Sequence, residues 1–122
     1  DLTFTDVSDS SGIMQDIFFG LTASVADFNN DGNQDIFVAN DFAGPDFLYM
    51  NNGDGTFVDK AGEFFQHTSN YSMGADVGDI NNDGFQDLFV LDMLPEDYKR
   101  SKTSMTMMPR EVMYNMVQSG YN

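Results

Sequence analysis

The chain has no cysteine and no tryptophan, one histidine, three prolines and only five Lys or Arg residues in 122. Without cysteine there is no disulfide framework, no thiolate zinc site and no cysteine nucleophile, although the compartment stays open. Five basic residues against 20 acidic ones leave a formal net charge of −15. Nucleic-acid binding needs clustered Lys and Arg to displace counterions from phosphates, so no nucleic-acid partner is expected. An anionic membrane surface is disfavoured on the same ground, and no apolar run approaches the roughly 18 residues of a membrane span. The opening Asp1-Leu2-Thr3-Phe4 carries no basic segment followed by an apolar stretch, so an export signal is either absent or already removed.

What is present is core-forming material. Hydrophobic residues make up 41% and aromatic residues 14% of the chain, too much for a disordered acidic tail.

The chain repeats itself. VADFNNDGNQDIFV from Val25 to Val38 returns as VGDINNDGFQDLFV from Val77 to Val90, with ten of 14 positions identical at an offset of 77 − 25 = 52 residues. In each copy a short strand enters, over 21–26 and 74–78. An Asp/Asn/Gly loop follows, and an apolar strand leaves over 36–39 and 88–91. After the first copy, Phe47 to Met50, the turn Asn51-Asn52-Gly53-Asp54-Gly55 and Thr56 to Asp59 read as a hairpin. One unit is then a four-stranded antiparallel meander, and the fold class is all-β.

Three stretches follow from this grammar. Residues 1–20 hold the end of a preceding unit, with Phe4 to Val7 as its last strand, and a linker. Residues 21–73 hold the first complete unit, over 21–59, and a linker, and 74–122 a second unit interrupted after two strands. Within that last stretch Pro109 opens a short helix through about Gln118, with Val112, Met113, Met116 and Val117 on one face. Charge divides here too. Residues 1–98 carry one Lys and 19 acids, net −18, and residues 99–122 four basic residues and one acid, net +3. The basic tail is either a solvated insertion or a segment that docks on the acidic body.

The loops carry the chemistry. In DFNNDGNQD the side-chain oxygens fall at positions 1, 3, 5 and 9, which are Asp27, Asn29, Asp31 and Asp35. The second copy repeats them as Asp79, Asn81, Asp83 and Asp87. A curled loop turns alternate residues inward, a glycine at position 6 (Gly32, Gly84) permits the bend, and backbone carbonyls at position 7, from Asn33 and Phe85, add a fifth oxygen. Five protein oxygens plus water suit Ca²⁺ better than Mg²⁺, which demands strict octahedral distances, while Zn²⁺ would bring His or Cys. Two Ca²⁺ ions are expected, one per loop. Position 12, where a helix-flanked calcium loop has its bidentate Glu, is Val38 in one copy and Val90 in the other. Affinity on the order of 10⁻⁴ to 10⁻³ M, usual for extracellular modules, would fill the sites outside cells and leave them empty in the cytosol.

At these residues the chain resembles the FG-GAP/VCBS repeat family, whose D-x-[DN]-x-D-G-x-x-D loop joins the first two strands of a β-propeller blade, as in integrin α-subunit heads. NNGDGTFVDKAG from Asn51 to Gly62 is similar to that family's third-to-fourth strand turn. SMGADVGDINNDGFQDLFVLDMLPEDYKRSK, over 72–102, resembles bacterial surface proteins in which such repeats precede an ASPIC/UnbV domain. The resemblance implies propeller blades, calcium loops, neighbouring blades of the same longer polypeptide and an extracellular or bacterial outer-surface location. It also implies recognition of a protein or glycan ligand. Closed propellers need about four to eight blades and the chain holds 122/52, roughly 2.3 repeats, so it reads as part of a longer polypeptide.

Other candidates are weaker. Asp16, Asp41, Asp46, Asp76 and Asp92 lie outside the loop positions and raise the alternative of a carbohydrate-active enzyme on the same propeller, but no pair at a catalytic separation can be named. His67 has no marked triad partners. The many Phe residues read as packing between blades, and the Met cluster of the tail as core or inter-blade packing. The expected protein is a calcium-binding propeller module for recognition or adhesion, with structural ions and no catalytic residues. A purely architectural role in a surface assembly is the other alternative.

Overall fold

The computed structural model describes residues 2–13, 18–41, 44–69 and 71–93. The helix expected from Pro109, the Met-rich tail, Asp16 and Phe42 lie outside them. In chain order the elements are α1 (Ser8–Ser11), β1 (Phe19–Ala26), β2 (Asp35–Asp41), β3 (Phe47–Asn51), β4 (Phe57–Asp59), α2 (Ala61–Phe64), β5 (Ser72–Gly78) and β6 (Asp87–Asp92). Strands β1 to β4 form one antiparallel sheet in sequential order, and β5 pairs with β6 in a second. The four-stranded meander read from the first repeat is therefore present, with strand ends displaced by one or two residues.

Both repeats build their first hairpin in the same register. Ala26 pairs with Asp35 and Val25 with Ile36 beside the loop, as Gly78 pairs with Asp87 and Val77 with Leu88. Each entering strand also carries an extra residue, Leu21 between Gly20 and Thr22 and Met73 between Ser72 and Gly74. Such a bulge sharpens the twist at the end remote from the loop. These positions too are 52 apart in sequence.

Paired residues of an antiparallel ladder share a face. Ser24 opposite Phe37, Thr22 opposite Ala39 and Phe37 opposite Leu48 define one face of the first sheet. Phe37, Ala39, Leu48, Met50 and Ala61 are buried there, and Ala75, Leu88 and Val90 of the second sheet pack on them. Helix α2 closes the core: Ala61 is buried, and Phe65 beyond the helix meets Phe37 edge to face at 5.9 Å. On the other face Phe47 stacks on Tyr49 at 5.4 Å and meets Phe18 at 5.6 Å. Two hydroxyls stitch the sheets together: Ser24 Oγ donates to the Ala75 carbonyl at 3.1 Å and Ser72 Oγ to Asp46 Oδ2 at 2.9 Å.

Among the described residues the strand expected over Phe4 to Val7 is not formed, and the segment is exposed. Asp6 Oδ1 accepts both the N–H (3.0 Å) and the hydroxyl (2.7 Å) of Ser8, which turns the chain into α1. Asp side chains take up nearby backbone and hydroxyl donors in this way. Gly12 then ends α1 at φ 76°, where a Cβ would stand 2.6 Å from the Phe57 carbonyl oxygen, so only glycine lets this segment pass β4. Among the described residues no helix is long and apolar enough to cross a membrane.

Candidate metal centre

The β1–β2 and β5–β6 loops are built from the same hydrogen bonds. Asp27 at the mouth of the first loop accepts the N–H of Asp31 at Oδ1 (3.0 Å) and that of Gly32 at Oδ2 (2.8 Å). Asn29 Oδ1 takes the Asp31 N–H as well, at 3.0 Å, while its amide nitrogen donates to Asp31 Oδ2 at 2.8 Å. Asp31 Oδ1 accepts the N–H of Asn33 at 2.7 Å. In the second loop Asp79, Asn81, Asp83, Gly84 and Phe85 repeat all five bonds within 0.1 Å.

Backbone geometry makes this possible. Gly32 and Gly84 stand at φ 90° and 88°, and Asn30 and Asn82 at 58° and 60°. Asn visits the left-handed region more readily than most residues with a side chain, so the second Asn of each NND triplet shapes the loop. Its role is absent from a reading of positions 1, 3, 5 and 9. Asn30 does more: its amide reaches the Gly84 carbonyl at 3.4 Å and ties the first loop to the second.

Position 9 behaves differently from the others. Asp35 is fully buried, accepting the Phe28 N–H at Oδ2 (2.9 Å) and the Asn51 N–H of β3 at Oδ1 (2.8 Å). It clamps the loop to the third strand. Asp87 accepts the Ile80 N–H at 2.9 Å through the matching oxygen and is only half-buried. The Asn33 and Phe85 positions enter the network through their N–H groups.

Electrostatically each loop is a patch of anionic oxygen faced by amide hydrogens. The Asn33 N–H, and after it the Asn29 amide, hold the Asp31 carboxyl below its ordinary value, so it stays ionised into acid. Among the described residues no three Asp, Glu or His side chains converge tightly enough to form a metal cage by themselves. The donor chemistry nonetheless fits a hard cation. Each of these carboxylate oxygens has lone pairs beyond the bonds named.

Of the remaining acids, Asp46 is buried and is the group sequence reading undervalued. It accepts the Asn40 N–H at 2.8 Å besides the Ser72 hydroxyl. Burial pushes its carboxyl above the ordinary value, against the pull of those bonds, and the negative charge of Asp92 adds to the rise. Asp92 itself accepts the Ser69 hydroxyl, and Asp41 Oδ1 is buried without a hydrogen-bond partner. Asp76 and His67 are exposed.

Sequential four-stranded pairing and two matched acidic loops on the first hairpin of each unit define a propeller-type repeat protein. Residues 27–90 match the model of the FG-GAP-like repeat, and the chain belongs to that family. Integrin alpha-3 of Mus musculus is 34% identical over 84 residues, covering 60% of this chain and 8% of the integrin. Integrin alpha-3 of Cricetulus griseus matches with the same identity and coverage. The chain thus spans less than a tenth of the length of these curated relatives.

Proposed function

We propose that this chain is an extracellular calcium-binding propeller module whose loops and blade surfaces serve recognition or adhesion, with protein or glycan as the ligand. The observation that carries the reading is the bond-for-bond identity of the two loops. Two solvated turns have no reason to keep the same five contacts, the same two left-handed residues and the same oxygen spacing. The similarity to integrin alpha-3 supports the adhesive part of the proposal. The resemblance of residues 72–102 to bacterial surface proteins supports an outer-surface setting.

In this reading Asp27, Asn29, Asp31, the Asn33 carbonyl and Asp35 hold one Ca²⁺, and Asp79, Asn81, Asp83, the Phe85 carbonyl and Asp87 the other. A bound Ca²⁺ supplies positive charge among carboxylates that otherwise repel one another. The chain's own residues do the rest: Gly32 and Gly84 set the bend, Asp35 anchors the loop to β3, and Asn30 couples the two corners. The ions hold the hairpins and take part in no reaction. Because the unfolded chain has no preformed site, binding contributes directly to folding.

Isothermal titration with CaCl₂ tests this, read beside thermal melting with and without EGTA. Two binding events and a calcium-dependent rise in Tm are expected, both lost when Asp31 and Asp83 are replaced by Ala. A folded chain that melts identically in calcium and EGTA refutes the metal assignment. Glycan-array and protein-capture binding then separate the two ligand classes.

A further inference from the structure

The two acidic loops stand on neighbouring strands. Strand β1 runs into Asp27 and β5 into Asp79, and between these strands Ser24 Oγ donates to the Ala75 carbonyl at 3.1 Å. At the loops themselves the Asn30 amide donates to the Gly84 carbonyl at 3.4 Å. Asn30 lies between Asn29 and Asp31, two of the oxygen donors of the first loop, with its backbone at φ 58°. The carbonyl it reaches belongs to the Gly84–Phe85 peptide, whose N–H donates to Asp83 Oδ1 at 2.8 Å. One bond therefore runs from the middle of the first oxygen set to the peptide that orients Asp83 in the second.

A carbonyl that accepts a hydrogen bond polarises its peptide, so the N–H of the same unit becomes a better donor. Holding Asn29 and Asp31 in place also holds Asn30 between them, and the Gly84–Phe85 peptide is then ordered before the second loop is filled. The second loop has that much less freedom left to lose. The repeat supplies its own comparison. Asn82 is the counterpart of Asn30, at φ 60°, and its side chain makes no hydrogen bond among the described residues.

We propose that the two loops take up calcium cooperatively through the Asn30–Gly84 bond, so that filling either loop raises the affinity of the other. The inference rests on the calcium reading of both loops given above. Linkage makes the effect reciprocal even though the bond is donated from one side only. The mutual repulsion of two cations opposes it, and salt screens that repulsion far more than it weakens a hydrogen bond.

Calorimetric titration of the full chain with CaCl₂ in about 0.5 M KCl tests the coupling. Asp83→Ala leaves the first loop to be measured alone, and Asp31→Ala the second. The product of those two association constants is compared with the product of both steps in the wild-type chain. The wild-type product should be larger by about fivefold, the low end of usual coupling, because the bond is long at 3.4 Å. In an Asn30→Gly background the excess should vanish. In an Asn82→Gly background, which makes the same change in the other loop, it should remain. Glycine keeps both positions in the left-handed region, so the loops retain their bend; Asn30→Asp, which turns the donor into an acceptor, is the second variant and should also abolish the excess. In Asp83→Ala, filling the first loop alone should shift the Gly84 carbonyl carbon resonance, and Asn30→Gly should remove that shift. A wild-type chain without excess, an excess that survives Asn30→Gly, or one that Asn82→Gly removes equally overturns the coupling and leaves the metal assignment standing. A folded chain that binds no calcium at either loop overturns both.

Discussion

Asp46, in the connection between β2 and β3, accepts the hydroxyl of Ser72 at the start of β5 at 2.9 Å, and both residues are buried. This bond joins the two sheets at the ends of their first hairpins remote from the acidic loops. A charged group is placed where desolvation is costly, so its surroundings must supply donors. The Asn40 N–H and the Ser72 hydroxyl supply them.

Replacing Asp46 by Ala should destabilise the chain by about 1–3 kcal/mol, because the Asn40 N–H is left buried without an acceptor. Asp46→Asn should cost less, since its carbonyl can still accept from Asn40 and its amide can donate to Ser72. Urea unfolding of the three proteins checks the order.

The same residue gives a pH dependence with a definite sign. Its folded carboxyl lies above the ordinary 3.8, so between that pH and its raised folded value the native state binds more protons than the unfolded state. The stabilising contribution is complete below the unfolded value and is lost as pH rises through the folded one. The stability of Asp46→Asn relative to wild type should therefore increase from acid toward neutral pH and then level off. Denaturant titrations of both proteins between about pH 3.5 and 7 read the difference, in which contributions from carboxylates not coupled to Asp46 cancel.

Gly32→Ala and Gly84→Ala force a Cβ into φ 90° and 88°. Each should cost about 1–2 kcal/mol and weaken calcium binding at its own loop, since the Gly32 N–H that Asp27 accepts at 2.8 Å moves with the bend. Calorimetric titration of the single variants should show one altered and one retained binding event.

Asp35→Ala removes the acceptor of two N–H groups, those of Phe28 and Asn51. A loss of at least about 2 kcal/mol is expected even in EGTA, with increased hydrogen exchange at the Asn51 amide. A mutant that differs from wild type only in the presence of calcium would show that Asp35 has no structural role of its own.

Phe37→Ala should cost about 3–5 kcal/mol, the usual range for a buried phenylalanine, while Phe89→Ala in dilute solution should change stability by less than about 0.5 kcal/mol. Chemical denaturation at micromolar protein separates the two.

That contrast shows where sequence reading stops. Phe37 and Phe89 occupy the same position of the same motif, yet among the described residues only Phe37 has a sheet against it. Asp27, Asn29, Asp31 and their partners in the second loop were legible because their contacts reach at most five residues along the chain. Phe4 to Val7, expected as the last strand of a preceding unit, pairs with no strand among the described residues, and beside it Ser8 makes two hydrogen bonds to Asp6. Bonds over 26 residues, as between Asp46 and Ser72, or 54, as between Asn30 and Gly84, leave no local pattern.

The 52-residue repeat, the hairpin register and the oxygen-lined loops follow from the sequence alone, since short-range sterics and turn chemistry specify them wherever the segment sits. Which copy of each repeated apolar residue is buried, which carboxylate becomes a bridge between sheets and how the two loops touch were decided by tertiary structure. Burial depends on what lies across a face, and a one-dimensional pattern records only that a face exists.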